Sequence, residues 1–323
     1  MGNGRYGLPY KGSKNHIAEW IVDNLPPADV FCDLFFGGGA VTHRALLTDK
    51  YKQFVVNDID GRLPKLFLDC CYGKYTLENH KEWISREEFF RLKDDDAYIA
   101  LVWSFANNGV DYLYAKDLEP FKKALHYAVF FSDLSLMNEQ GITLNDTEET
   151  DIYQRYLWFA RQLKFIKKNP VYFENLTRAI EIERLQSLQS LQSLQEDYVS
   201  AFEKVKMQYA EKGLEILTYC DIPYQGSNCG KYKGFDNDRF HEWAREQDNI
   251  YISEYTMPDD FKPVAWCEKN ILSAANGNSD KAIEKLFVNE RTYWKLNKDQ
   301  RYLISLNFSK QISLFDLMED SCR

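Results

Sequence analysis

The sequence predicts an α/β protein with a parallel sheet and a mostly helical insert. Three observations lead there. A short apolar run, Val30-Phe31-Cys32-Asp33-Leu34-Phe35-Phe36, enters Gly37-Gly38-Gly39 and then an amphipathic segment. A second apolar run, Phe54-Val55-Val56, follows closely, and the order strand, glycine turn, helix, strand is a βαβ unit. Further along, Leu214 to Cys220 reads as another buried strand that ends in Asp221-Ile222-Pro223-Tyr224.

Taken in order, Gly12-Ser13-Lys14 precedes a helix from His16 to Asn24, which Pro26-Pro27 ends. The first strand, a helix from Ala40 to about Leu47 and the second strand follow, closing on Asn57-Asp58-Ile59-Asp60. From Arg62 to about Asn169 the pattern changes to longer helical segments rich in aromatic and charged residues. Arg155, Arg161, Lys164, Lys167 and Lys168 lie there in a run free of acidic residues, interleaved with Tyr156, Trp158, Phe159 and Phe165. Such a run is either a solvated helix face or a phosphate-binding surface. Val171-Tyr172-Phe173 reads as a return to the sheet.

Leu185 to Gln195 repeats a Leu-Gln-Ser triplet. On a helix each three-residue step turns about 300°, so the leucines leave any single face and make no coiled-coil seam. Residues 178–200 are therefore expected to be a low-complexity insertion between core elements, with no chemistry of its own. The sheet resumes at Leu214, followed by a helix from Asn237 to Gln247 and a strand from Asn249 to Ser253. The last fifty or so residues are polar, with a basic stretch and a short apolar tail, and specify no particular element. The expected division is a sheet-bearing domain of residues 1–61 and 171–290, a helical domain of residues 62–170, and a tail of residues 291–323.

Composition excludes several classes. With 323 residues, 45% hydrophobic, and with 21 Phe, 21 Tyr and 7 Trp, the chain can bury a core without staples and is not a disordered protein. No apolar run is long enough to cross a bilayer. The N-terminus has no signal-peptide core, and Tyr6 stands where a myristoylation signal needs Ser or Thr. The expected location is the cytoplasm. The 7 cysteines include no CxxC pair, which points to reduced structural thiols and no metal. A net charge of −9 argues against nonspecific coating of nucleic acid but leaves room for a local basic groove.

Two constellations carry chemistry. The Gly37-Gly38-Gly39 turn lets backbone approach a ligand closely and offers free amides, and Asp58 stands about where a carboxylate would bind ribose hydroxyls. The pattern Gly37-x-Gly39-x-x-Thr42 lacks the third glycine of the dinucleotide fingerprint. That disfavours NAD and leaves an adenosyl cofactor without a pyrophosphate open. In Asp221-Ile222-Pro223-Tyr224, the residue before proline is biased to an extended conformation that can aim its carbonyl outward. A carboxylate and a carbonyl make a paired acceptor for an NH₂ group, and Tyr224 offers a face on which a base can stack. The bland alternative is a turn with a capping Asp and a packed Tyr.

The ordered set Tyr10-Lys11-Gly12-Ser13-Lys14, Asp33-Leu34-Phe35-Phe36-Gly37-Gly38-Gly39, Asn57-Asp58-Ile59-Asp60 and Asp221-Ile222-Pro223-Tyr224 resembles the alpha-group, Dam-like DNA adenine-N6 methyltransferases. Phe235 to Phe240 and Ile252 to Tyr255 are also similar to members of that family. The resemblance implies a Rossmann-like methyltransferase sheet flanked by helices, with an inserted target-recognition domain. It also implies S-adenosyl-L-methionine as cofactor, S-adenosylhomocysteine as product, no metal, and double-stranded DNA as substrate.

Residue by residue, Tyr10 and Lys14 match the family's N-terminal cofactor motif. Asp33, Phe35, Gly37 and Gly39 match the glycine motif around the methionine portion. Asp58 matches the acidic residue that contacts the adenosine. Asp221 matches the carboxylate that touches both the cofactor region and the target amine. Ile222 stands where the family usually has proline, at a position whose role belongs to the backbone carbonyl. The implied target is a flipped adenine, with Tyr224 after Pro223 replacing its lost stacking.

Ser104-Phe105-Ala106-Asn107-Asn108-Gly109 resembles the start of the family's recognition region, which makes Asn107, Asn108, Tyr112 and the basic run candidates for DNA contact. Past Tyr112 the chain departs from the GATC-specific pattern. Gln311-Ile312-Ser313-Leu314-Phe315 resembles the peptide with which bacterial DNA-handling proteins dock on the replication sliding clamp. A monomer is expected. Three other readings stay open: a catalytically silent DNA-binding protein of this fold, a methyltransferase acting on RNA or a protein amide, and an NAD-dependent oxidoreductase.

Overall fold

The computed structural model describes residues 6–75, 81–163, 191–223, 234–272, 279–298, 300, 301 and 304. The chain forms two compact units, one of Met1–Ala18, Gly37–Leu47 and Asp60–Leu188, the other of Glu19–Phe36, Thr48–Ile59 and Gln189–Arg323. Its strands are β1 (Val30–Asp33), β2 (Gln53–Asn57), β3 (Leu191–Leu194), β4 (Ile216–Cys220), β5 (Ile250–Glu254), β6 (Lys262–Leu272) and β7 (Ser279–Val288). Its helices are α1 (Ala18–Asn24), α2 (Ala40–Leu46), α3 (Arg62–Cys71), α4 (Arg86–Leu92), α5 (Ala97–Val102), α6 (Glu119–Phe131), α7 (Ser135–Glu139), α8 (Ile152–Gln162), α9 (Tyr198–Tyr209), α10 (Asn237–Arg245) and α11 (Glu290–Lys295). Among the described residues, no helix is long and apolar enough to cross a membrane.

The strands form one sheet in the order β3-β2-β1-β4-β5-β7-β6. The first five are parallel, whereas β7 runs antiparallel to both β5 and β6. This is the α/β architecture expected of a Rossmann-like methyltransferase sheet. Every residue of β1 and β5 is buried, which is why these strands read as unbroken apolar runs rather than as alternating ones. On one face Val30, Cys32, Cys220 and Ile252 pack with Phe202 and Val205 of α9 and Phe240 of α10 in a common core. The other face carries a run of rings, with Phe31 near Tyr51, Phe54 and Tyr219 at centroid distances of 4.9, 6.1 and 6.3 Å.

Helix α1 buries Ala18, Ile21 and Val22, and Leu25 just past its end continues the same spacing of a one-sided helix. Pro26 follows its end, and the Lys50 ammonium donates to the Val22 and Leu25 carbonyls at 2.7 and 2.9 Å. A cation at a helix C-terminus satisfies carbonyls that have no partner within the helix.

Two expectations need correction. Leu191–Leu194, the end of the Leu-Gln-Ser repeat, is the edge strand β3, in parallel register with β2 from Phe54↔Leu191 to Asn57↔Leu194. Residues 191–200 therefore belong to the sheet and to α9 rather than to an inert insertion. The repeat hides this because its period of three sends Leu191 and Leu194 to opposite faces, whereas a strand has a period of two. An edge position half-buried on both sides accepts that arrangement. The last fifty residues also contain more order than expected, since they hold α11 and β7, which pairs over ten registered positions with β6 just before them. Charges interrupt the alternation of both strands, including the fully buried Glu284. The sequence between them holds Asn276-Gly277, a strong hairpin signal that could have been used. The expected strand at Val171–Phe173 lies outside the described residues.

The first unit is helical beyond the glycine turn. Ser85 and Glu88 cap α4 reciprocally, Asp96 caps α5, and Asp151 accepts from the Gln154 amide at 2.8 Å to cap α8. Here the structure corrects the reading of Arg155 as a phosphate contact, because its side chain is only 6% exposed. Its guanidinium donates to the Val129 and Ala128 carbonyls at 2.7 and 2.9 Å, where α6 ends. It also reaches the Ser132 hydroxyl at 2.7 Å and the Thr147 and Glu149 carbonyls at 3.2 and 3.0 Å. The planar fork closes a helix end and a loop together, which no other side chain can do. Arg155→Ala is expected to destabilise the protein by about 3 kcal/mol, by stranding several buried carbonyls. Arg161→Ala, at an exposed position of α8, is expected to stay within about 0.5 kcal/mol. Urea unfolding of the two variants checks both values.

Candidate active site

In the first unit, the N-terminal motif lies directly against the glycine turn. The Leu8 amide donates to the Gly38 carbonyl at 2.7 Å, and the Gly7 amide donates to His43 Nδ1 at 2.9 Å. The Asn15 side chain accepts from the Tyr6 amide at 2.6 Å and holds the start of the same segment. Space here is tight. A Cβ on Gly38 would stand 2.7 Å from Tyr10 Cβ and 3.0 Å from the Leu8 carbonyl oxygen, and one on Gly37 would stand 3.2 Å from the Tyr10 ring. Gly7 is left-handed at φ 70°, and a Cβ placed on it would collide with the Gly38 carbonyl oxygen. Tyr10 is thus brought against Gly37 and Gly38, with Gly39 next in the chain, and Lys14 is buried four residues on from Tyr10. Sequence reasoning missed Gly7 and His43. Neither sits in a recognisable motif, and their pairing appears only when the chain folds back.

His43 is buried between Tyr6 and Phe67, with ring centroids at 5.7 and 5.9 Å. Burial pulls its pKa down to about 4, so near neutral pH Nδ1 is an unprotonated acceptor for the Gly7 amide.

In the second unit, the carboxyl ends of β2, β1 and β4 stand side by side. Asp33, the last residue of β1, pairs with Val56 of β2 and Tyr219 of β4. Asp58 and Asp221 each follow two residues after those partners, the even step that returns a side chain to the same face of a continuing strand. The turns are fastened by the Leu34 amide on the Tyr219 carbonyl at 3.1 Å and the Phe36 amide on the Asn57 carbonyl at 3.0 Å. Asp33 and Asp58 are buried and Asp221 is partly exposed. Asp221 and Asp33 both help, after burial itself, to push the Tyr219 phenol far above its usual range. Phe35 turns into an aromatic group with Tyr198, Phe235 and Phe240 at 5.5, 5.6 and 5.7 Å. The Ile222 side chain, 2% exposed, is part of the core. Pro223 follows it, and Tyr224 lies outside the described residues.

Ser104–Gly109, expected to begin a recognition region, belongs to the first unit. Ser104 and Tyr112 form an antiparallel bridge, and the Asn108 amide donates to the Phe105 carbonyl at 3.2 Å. The two central residues of that turn, Ala106 and Asn107, are left-handed at φ 51° and 54°. This conformation costs an alanine roughly 1–2 kcal/mol. Asn107 Nδ2 donates to the Leu101 carbonyl at 2.9 Å, and the Asn107 backbone carbonyl accepts from the Lys11 amide at 3.3 Å. Asn108 accepts from the Val110 and Asp111 amides at 2.8 and 3.0 Å.

Both asparagine side chains are therefore committed to shaping the loop. Tyr112, expected at a DNA surface, is instead buried, and its hydroxyl donates to the Ile84 carbonyl at 2.7 Å. Beside the exposed Ala106 and Asp111, the large apolar side chains that the loop exposes are Phe105 at 63% and Val110 at 45%. Sequence reasoning passed over both because they are apolar. Arg161 is exposed, while Lys164, Lys167, Lys168 and the Gln311–Phe315 peptide lie outside the described residues. Among the described residues no group of three or more His, Cys, Asp or Glu could hold a metal.

A mostly parallel sheet with helices packed on it defines the class of α/β proteins, in which ligands collect at the carboxyl ends of the strands. Within that class, a family model for D12 class N6 adenine-specific DNA methyltransferases matches residues 10–293. The chain belongs to that family, and it is an adenine-specific DNA methyltransferase. No curated protein matches the chain.

Gly38→Ala is expected to overpack the contact with Tyr10 and Leu8 at a cost of about 1–3 kcal/mol, lowering the thermal midpoint together with DNA methylation. The buried histidines also give a pH signature. His43 and His126 both have pKa values lowered to about 4, mainly by burial. Their stabilising share is complete above the unfolded value of 6.5 and is lost as pH falls toward 4. The loss within that window is roughly 1.4 kcal/mol per pH unit for each group. Urea titrations at several pH values should show this fall, and His43→Gln should remove about one proton from its slope.

Proposed function

We propose that this enzyme transfers a methyl group from S-adenosylmethionine to the N6 amine of an adenine flipped out of duplex DNA. The observation that carries the reading is the row Asp58, Asp33, Asp221 at the ends of three adjacent parallel strands. Three carboxylates at one sheet edge suit a ligand bearing positive charge and hydroxyls, and disfavour a pyrophosphate. S-adenosylmethionine has an ammonium, a sulfonium and ribose hydroxyls, and when bound it supplies the methyl group. Asp58 would accept from the ribose, and Asp33, the Phe35 backbone, Gly37 and Gly39 would hold the methionine portion. Tyr10 and Lys14 complete the set. Family membership supports the same assignment, as does the tight fit of Tyr10 on the glycines.

The remaining chemistry belongs to Asp221 and Ile222. The adenine amine is a poor nucleophile, because its lone pair is delocalised into the ring. Its two N–H groups would donate to the Asp221 carboxylate and the Ile222 carbonyl, favouring a tetrahedral nitrogen and stabilising its developing positive charge. Burial of the Ile222 side chain in the core limits movement of that carbonyl, which offsets the absence of the usual proline. Tyr224 would stack on the flipped base.

Residues 62–170 serve as the target-recognition domain in this reading. Arg161 and the lysines that follow it meet phosphates, and the loop shaped by Asn107 and Asn108 presents Phe105 to the bases. The partner is double-stranded DNA, and the reaction requires no metal.

The test is transfer of labelled methyl from S-adenosylmethionine to unmethylated genomic DNA, followed by digestion to nucleosides. Label is expected on N6-methyladenine and is expected to fall by about 100-fold or more in Asp221→Ala. Cofactor binding without label on DNA would overturn the reading.

A further inference from the structure

The Asn57 side chain, at the end of β2, is 2% exposed. Its Nδ2 donates to the Leu34 carbonyl at 3.2 Å and to the Glu196 carbonyl at 3.1 Å, while Oδ1 accepts from the Glu196 amide at 3.0 Å. Its backbone carbonyl accepts from the Phe36 amide at 3.0 Å, and the amide of the next residue, Asp58, donates to the Leu194 carbonyl at 3.4 Å. One residue thereby fastens the exits of three neighbouring strands: β1 through Leu34 and Phe36, β2 through itself, and β3 through Glu196. Two donors and one acceptor on one short planar group are required. Aspartate has the shape but no N–H for the two carbonyls, and leucine has neither donor nor acceptor.

We infer that Asn57 is a positioning residue for methyl transfer, setting the shape of the sheet edge at which Phe35 and Asp58 meet the cofactor. The inference rests on the reading of that edge as the S-adenosylmethionine site. Asn57 acts through its neighbours, so its loss weakens cofactor binding and spares both the chemical step and DNA binding.

A matched control exists at the opposite edge of the same sheet. Asn289 follows β7, whose Val288 pairs with Tyr251 near the start of β5. Asn289 is also 2% exposed. Its Nδ2 donates to the Ala244, Gln247 and Arg245 carbonyls at 2.7, 2.6 and 3.3 Å, and its Oδ1 accepts from the Thr292 amide at 2.8 Å. Burial and bonding resemble those of Asn57, but the amino edge carries none of the cofactor residues.

The experiment compares the full-length protein with Asn57→Ala, Asn57→Asp and Asn289→Ala, using calorimetric binding of S-adenosylmethionine and steady-state methylation. Asn57→Asp makes the comparison without opening a cavity. All three variants are expected to unfold at lower temperature than the wild type. Both Asn57 variants are expected to raise the dissociation constant and KM for S-adenosylmethionine about tenfold, while kcat and the KM for DNA stay within roughly twofold. Asn289→Ala is expected to bind the cofactor like the wild type. Equal affinity in the Asn57 and Asn289 variants would overturn the inference. A wild-type protein that binds no S-adenosylmethionine would instead overturn the reading of the site, before any variant is compared.

Discussion

Parallel hydrogen bonding of β1 on both sides is the constraint on which the site depends. A strand held by β2 and β4 cannot shift register without breaking two ladders and turning its apolar residues to the wrong face. Asp33 therefore stays level with Val56 and Tyr219, and the chain leaves all three strands at one edge. Both faces of β1 are covered, so polar groups collect where the strands end. The same burial accounts for Cys32 and Cys220, whose thiols are pushed far above their usual range, chiefly by desolvation. These thiols are packing groups and not nucleophiles.

The glycine turn follows a different logic, that of close approach rather than pairing. Gly7 and Gly38 let two backbone segments touch, and His43 secures the contact only while it is neutral. Desolvation keeps it so. Arg155 shows the opposite solution among the helices of the first unit, where a permanent charge is buried because five donors find partners around it. In both cases a side chain whose type advertises chemistry supports the architecture.

What could be read from the sequence follows from how local each signal is. The βαβ opening, the strand before Asp221 and the helix after Asp236 declare themselves within a few residues, through apolar runs, glycines and a capping aspartate. Four motifs in order identified the family, which the match over residues 10–293 establishes. Signals that depend on distant partners could not be read. Asn57 meets Glu196 across 139 positions, and Gly7 meets His43 across 36. Arg155 resembled a phosphate ligand because nothing local distinguishes an arginine that will find carbonyls from one that will face solvent. Tyr112 was misplaced for the same reason. The hairpin of β6 and β7 was hidden by charges, one of them buried.

The edge strand has a consequence for how this sequence can change. The tetrapeptide Leu-Gln-Ser-Leu occurs three times in register within residues 185–194, and the last copy forms β3. Replication slippage on such a tract adds or removes whole triplets. Each event changes the number of residues that precede the strand but leaves the same four side chains next to Phe54 and Val55, and the same Glu196 within reach of Asn57. The tract is thus joined to the sheet in a way that a change of whole triplets leaves unaltered, because every copy carries the same side chains.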